Sequence, residues 1–180
     1  YELEKASHIA KSGRPGPVWI EIPMDIQSAK ISDELEKFEN ERLKKPGINE
    51  NQIKSVIELL QNAKRPIIIS GQGVRIAGAI ELLTKFVKLF KIPVVTPYLG
   101  IDTIRHDEES YIGKIGVKGE RAGNLAMQNS DLILSIGSSL HVSVIGYNYK
   151  QFARGSKKII IDIDEITHKT NIKTDELVEM

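Results

Sequence analysis

The sequence predicts an α/β fold: a doubly wound, mostly parallel, six-stranded sheet with helices on both faces. Two patterns predict it. Short, continuously apolar runs at Ile67–Ser70, Pro93–Thr96, Asp131–Gly137 and Lys157–Ile163 alternate with stretches whose apolar residues recur at helical spacing. Runs that are apolar at nearly every position read as strands covered on both faces, the situation of a parallel sheet between helix layers. The second pattern is how the runs end. Serine, threonine, glycine or aspartate closes each of them, and ligands of open parallel sheets sit outside the carboxyl ends of the strands.

The elements follow in order. Leu3, Ala6, Ile9 and Ala10 have helical spacing, and Gly13–Pro17 stops that helix. Val18–Ile22 reads as a short strand closed by Pro23. Residues 27–48 carry few large apolar residues and many charges of both signs, and read as a linker. Asn49 caps the next helix, with Gln52 completing a capping box and Ile53, Val56, Ile57 and Leu60 as its apolar face. After the Ile67–Ser70 strand, Gly71-Gln72-Gly73-Val74 turns into one helix carrying Ile76, Ala79, Ile80, Leu83, Val87 and Phe90 on a single face. Residues 98–118 read as irregular, 120–128 as a helix and 176–180 as a last strand. Right-handed crossovers between such strands give a doubly wound sheet.

Composition bounds the function. A chain of 180 residues holds one domain with a real core and a fragment of another. Hydrophobic residues at 41% and charged residues at 27% are the balance of a soluble globular protein. A net charge of +1 provides no global field for nucleic acid or an anionic membrane, so neither is expected as a partner. Without cysteine there is no disulfide, thiolate zinc site or cysteine nucleophile. No apolar run approaches the roughly 18 residues of a membrane span. The chain opens on a helix start rather than a signal peptide, and its first residue is not Met. It is therefore expected to be a piece of a longer, cytoplasmic protein.

The candidate site residues lie at the strand tips. Gly71 and Gly73 would let backbone approach a phosphate at a helix N-terminus, although Ile76 replaces the third glycine of the dinucleotide fingerprint. A tight strand–helix turn explains the same residues. Gly137 and Ser138 end a strand in the same way. Asp162 would accept hydrogen bonds from ribose hydroxyls or cap a following helix, a role for which Asp164 and Glu165 compete. His8, His106, His141 and His168 are scattered and read as surface or packing residues. There is no Ser-His-Asp pattern, nucleophile elbow or Walker loop, and no catalytic or metal-binding residue is assigned.

Five ordered segments make a more specific pattern: "SGRPGPVWIEIPMDIQ", "RPIIISGQGV", "IPVVTPYLGIDTI", "IGKIGVKGERAGNLAMQNSDLILSIGSSL" and "FARGSKKIIIDIDE". In this order and spacing they resemble the thiamine diphosphate (ThDP)-dependent enzymes of the acetolactate synthase, pyruvate oxidase and benzoylformate decarboxylase superfamily. The resemblance implies that residues 1–26 are the end of a pyrimidine-binding domain, 27–48 a linker, and 49–180 a Rossmann-like central domain. It further implies a parent that decarboxylates a 2-keto acid and forms a C–C bond, as a homodimer or tetramer, with ThDP and Mg2+ held by domains outside this sequence. The chain alone would then be inactive, its partners being its own N- and C-terminal domains.

In some members the central domain also holds flavin adenine dinucleotide (FAD). Carried over by position, the FAD contacts fall on Gly71, Gln72 and Gly73, on Thr96–Leu99, on Gly116–Gly119, on Gly137 and Ser138, and on Asp162 and Ile163. The chain departs from the flavin pattern at two places. No Arg or acidic pair stands between Ser138 and Tyr147, and Lys118 stands where a His is usual. The segment "SVIGYNYKQFARGSKK" resembles a branch of acetolactate synthase-like enzymes in surface-polysaccharide pathways. That leaves a flavin-free enzyme acting on a keto acid and a nucleotide sugar as an alternative. A stand-alone, non-catalytic nucleotide-binding module is a further alternative, and it requires Val18–Ile22 to pair into the main sheet.

Overall fold

The apolar runs become strands: β1 (Pro66–Ser70), β2 (Val94–Thr96), β3 (Tyr111–Lys114), β4 (Leu132–Ile136), β5 (Lys157–Asp162) and β6 (Glu176–Glu179). In this computed structural model, residues 1–39, 47, 49–163 and 172–179 are described. The strands form one six-stranded sheet in the order β3-β2-β1-β4-β5-β6, and every pairing is parallel. The order reverses between β1 and β4, which places the topological switch point there. The chain divides into two compact units, Tyr1–Pro46 and Gly47–Met180, and the sheet lies wholly in the second.

Successive residues of a strand point to opposite faces. Ile67 and Ile69 accordingly enter one apolar cluster with Ile133 and Ile160, while Ile68 enters another with Val94, Leu134 and Ile159. Helices cover both clusters. α3 (Glu50–Asn62) and α5 (Ile80–Phe90) supply Val56, Leu60, Leu83 and Val87 to the second. α6 (Arg121–Gln128) and the single turn α7 (Val142–Ile145) supply Met127 and Ile145 to the first. The doubly wound fold is thus present, with a core on each side of the sheet.

Several local expectations are corrected. Val18–Ile22 is not a strand, and Trp19 is 91% exposed. An isolated extended segment gains no ladder hydrogen bonds, and none of its amides donates to another backbone group among the described residues. It is preceded by α1 (Glu2–Lys11) and followed by the unforeseen turn α2 (Met24–Gln27). The strand β3 comes instead from Tyr111–Lys114, inside the stretch read as irregular. Its run is short and contains Gly113, so periodicity gave little sign of it.

The helix expected after β1 is two helices. α4 (Gln72–Ile76) ends at Ala77, Gly78 takes φ +67°, and α5 starts at Ile80. The break rotates Ile76 to the surface, and Phe90 is exposed at the far end. Asn49 does cap α3 by accepting from the Asn51 N–H at 3.1 Å. Gln52 does not close the capping box. Its Nε2 donates to the Leu177 carbonyl at 2.9 Å, tying α3 to β6, and the stripe that packs is Val56, Leu59 and Leu60 rather than Ile53 and Ile57.

Two buried or half-buried polar groups give tests of the fold. Ser135, in β4, is 0% exposed, and its Oγ has no hydrogen-bond partner among the described residues. Ser135→Ala removes a desolvated hydroxyl without opening a cavity. It is expected to raise the unfolding free energy by up to about 1 kcal/mol, read as a higher urea midpoint at unchanged slope.

Asp131 joins the amino ends of β1 and β4, because its two carboxylate oxygens accept the Lys64 and Arg65 N–H groups, each at 2.8 Å. Burial pushes its carboxyl up, but those two donors and the Arg65 charge together hold it below the ordinary value. The unfolded chain therefore binds the proton more readily. The resulting stability is complete above a pH of about 4 and is lost as pH falls through the lower folded value. Asp131→Asn is expected to cost about 1 kcal/mol at neutral pH and to flatten that acid limb in urea titrations from neutral to acid.

Candidate functional site at the carboxyl edge of the sheet

The sequence-selected residues all follow carboxyl ends of parallel strands. Gly71, Gln72 and Gly73 follow β1, and Gly137 and Ser138 follow β4. Thr96 ends β2, Gly116–Gly119 follow β3, and Asp162 and Ile163 close β5. Because β2, β1, β4 and β5 are consecutive neighbours, these tips form one continuous edge around the switch point. The topology brings together what the sequence spread over almost a hundred positions.

The geometry of that edge differs from the expected phosphate cradle. The Gly73 N–H donates to the Gly137 carbonyl at 2.9 Å, and the Gly71 N–H to the Ile136 carbonyl at 2.9 Å. A Cβ at Gly73 would lie 2.6 Å from the Gly137 Cα, and one at Gly137 would lie 2.7 Å from both the Gly73 Cα and the Val74 N. The two glycine loops are therefore packed backbone to backbone. Their glycines are needed because nothing larger fits between β1 and β4, and the N–H groups of Gly71 and Gly73 are taken by protein carbonyls. Gly137 has a second reason, since its φ is +57°.

The other tips are similarly engaged. Thr96 is fully buried, with Oγ1 3.1 Å from the Tyr111 hydroxyl. Ser70 Oγ lies 2.5 Å from Thr103 Oγ1, which fastens the turn after β2 to the end of β1. Gly116 is held at both its polar groups by Asn124, which accepts its N–H at 2.9 Å and donates to its carbonyl at 3.1 Å. Asn124 is a positioning residue that sequence reading missed; its sole sign is an amide side chain within an otherwise ordinary amphipathic helix. Asp162 Oδ1 accepts the N–H of Ile163 at 2.8 Å. The competing caps Asp164 and Glu165, and His168, lie outside the described residues.

What faces outward at this edge is largely apolar. Tyr98, Leu99, Ile101, Val117 and Ile163 are exposed, Val117 at 81%. Lys118 Nζ stands 5.3 Å from the Tyr98 ring centre, and Arg75 is ion-paired with Asp102. A flat ring could stack on such a rim. A diphosphate would meet Lys118 at this rim, with the N–H groups of Gly71 and Gly73 already occupied. Those two glycine N–H groups therefore have no free hydrogen to offer a diphosphate.

The remaining histidines have packing or capping roles. His8 lies 5.3 Å from the Phe38 ring, His106 lies 5.9 Å from the Tyr111 ring, and His141 Nδ1 accepts the Ser143 N–H at 3.3 Å to cap α7. Among the described residues, no group of three or more His, Asp and Glu side chains could hold a metal ion, and no helix is long and apolar enough to cross a membrane.

Comparison with known proteins gives the same address. The family model described as the thiamine pyrophosphate enzyme, central domain, matches residues 53–179. A probable acetolactate synthase large subunit of Methanococcus aeolicus is 36% identical over 96% of this chain and 30% of its own length. Glyoxylate carboligase of Escherichia coli O157:H7 is 34% identical over 90% of this chain and 27% of its length. The acetolactate synthase large subunit of Lactococcus lactis is 30% identical over 96% of this chain and 30% of its length. The chain thus spans under a third of the curated relatives it matches.

Proposed function

Since the chain belongs to the thiamine pyrophosphate enzyme central-domain family, we propose that it is the middle of a ThDP-dependent 2-keto acid decarboxylase and carboligase of the acetolactate synthase type. One observation carries this reading. The family model covers residues 53–179, while the relatives align over as much as 96% of the chain, so the segment before the sheet is shared with them as well. Residues 1–26 are then the end of a preceding pyrimidine-binding domain, 27–48 the linker, and 49–180 the central domain. The exposed Val18, Trp19, Ile20 and Ile22 are consistent with a strand whose sheet lies in that preceding domain.

In the parent, ThDP supplies the electron sink for decarboxylation of the keto acid. No acid, base or metal ligand for that step is assigned among the described residues. Their part is to hold a rigid sheet whose apolar carboxyl edge adjoins the other domains, in a cytoplasmic dimer or tetramer that carries Mg2+ with its ThDP. No step is assigned to a flavin. The departures around Lys118 and Ser138–Tyr147, together with the occupied glycine N–H groups, favour the flavin-free form of this chemistry. Titration with FAD is expected to leave the melting temperature of the chain unchanged, whereas a saturable rise would restore a flavin to the site.

The functional test is pyruvate turnover. The longer protein, supplied with ThDP and Mg2+, is expected to release carbon dioxide and form acetolactate, and residues 1–180 alone to do neither. Carbon dioxide release with no acetolactate, and product only when a nucleotide sugar is added, would select the polysaccharide-pathway alternative. No ThDP-dependent turnover of any 2-keto acid would overturn the proposal.

A further inference from the structure

A hollow of about 410 Å3 lies at the opposite, amino-terminal edge of the sheet, beside the starts of β5 and β6. Its wall is strongly one-signed. Lys150, Arg154, Lys157, Lys158 and Lys173 line it, and among the described residues the only carboxylate in the lining is Asp175. One of its oxygens, Asp175 Oδ2, accepts the backbone N–H of Lys158 at 2.9 Å.

Lys158 is the unusual member, because it is only 6% exposed. Its Nζ donates to the carbonyls of Ala153 at 3.0 Å and Ser156 at 2.9 Å. An ammonium has three donors, so one remains without an acceptor among the described residues. Burial pushes the Lys158 amine down, Asp175 pushes it back up, and Lys173 adds to the lowering. Buried charges are ordinarily paired, and here the direct partners of the charged group are neutral carbonyls. A concave wall of one sign also focuses potential into the hollow.

We propose that this hollow binds a small phosphate-bearing anion, held by Lys158 at its base and by Lys157, Lys173, Lys150 and Arg154 at its rim. Lysines serve phosphate as point charges, and the volume lies in the range of small-molecule sites. The site is separate from the carboxyl edge and does not depend on the reading of the parent's activity.

The probe is inorganic diphosphate, titrated calorimetrically into the 180-residue chain at low salt. One site with a Kd below about 1 mM is expected. Lys157 and Lys173 are exposed, so the double variant Lys157→Gln/Lys173→Gln keeps the fold and is expected to weaken binding at least about tenfold. A control of equal charge loss elsewhere, Lys54→Gln/Lys85→Gln, is expected to leave Kd within about twofold. Amide chemical-shift changes should centre on Lys157, Lys158 and Lys173. Absence of saturation at about 1 mM, equal weakening by the control pair, or shifts centred on the carboxyl edge would each overturn the proposal.

Discussion

Gly137→Ala is expected to destabilise the chain by about 2–5 kcal/mol in the absence of any ligand. Two costs combine. At φ +57° a Cβ meets its own backbone, which costs about 1–2 kcal/mol. The same Cβ would lie 2.7 Å from the Gly73 Cα and the Val74 N. Both are backbone atoms, so no rotamer change relieves the contact, and the β1 and β4 loops must separate. That breaks the 2.9 Å hydrogen bond from Gly73 to the Gly137 carbonyl. Gly155→Ala is the control, because a Cβ there meets nothing within 4 Å; its effect should stay within about 0.5 kcal/mol. Urea unfolding measures both. If Gly137 existed only to admit a ligand, Gly137→Ala would be as stable as the parent sequence and would lose binding alone.

Phe152→Ala is expected to cost about 3–5 kcal/mol. Phe152 is 2% exposed and stands just before β5, in the cluster that holds Met127, Ile133 and Ile160. Its ring is part of that buried cluster, and removing it leaves a cavity that the surrounding strands close only in part. Phe152→Leu keeps most of the volume and should cost less than about half as much. Equal losses for the two variants would show that the ring's shape, rather than its burial, matters. A loss below about 1 kcal/mol for Phe152→Ala would contradict the packing described.

The central sheet was legible because its strands are apolar on both faces. Ile67-Ile68-Ile69 and Leu132-Ile133-Leu134 leave no alternative to a covered strand, and their order along the chain with intervening helices implies parallel pairing. β3 was not legible, since it is short, contains Gly113 and relies on β2 for its hydrogen bonds. Val18–Ile22 shows the opposite failure: high strand propensity yields no strand without a neighbour. The chosen residues do lie at strand ends, but composition could not distinguish a glycine that admits phosphate from one that admits another glycine. Only the register of β1 on β4, which sets Ser70 beside Ile136, shows that Gly71, Gly73 and Gly137 must meet each other. The basic hollow was invisible for a related reason, because Lys150 to Lys173 converge only after β5 and β6 pair.

If the chain is, as proposed, the middle of a longer enzyme, Val18–Ile22 belongs to a preceding domain. Amide hydrogen exchange on that segment tests this most directly, compared between the 180-residue chain and the longer protein. The expected result is rapid exchange of these amides in the chain and strong protection in the longer protein, where a neighbouring strand takes them up. Equal protection in both would mean that the segment finds its partner within these residues, and would contradict the account.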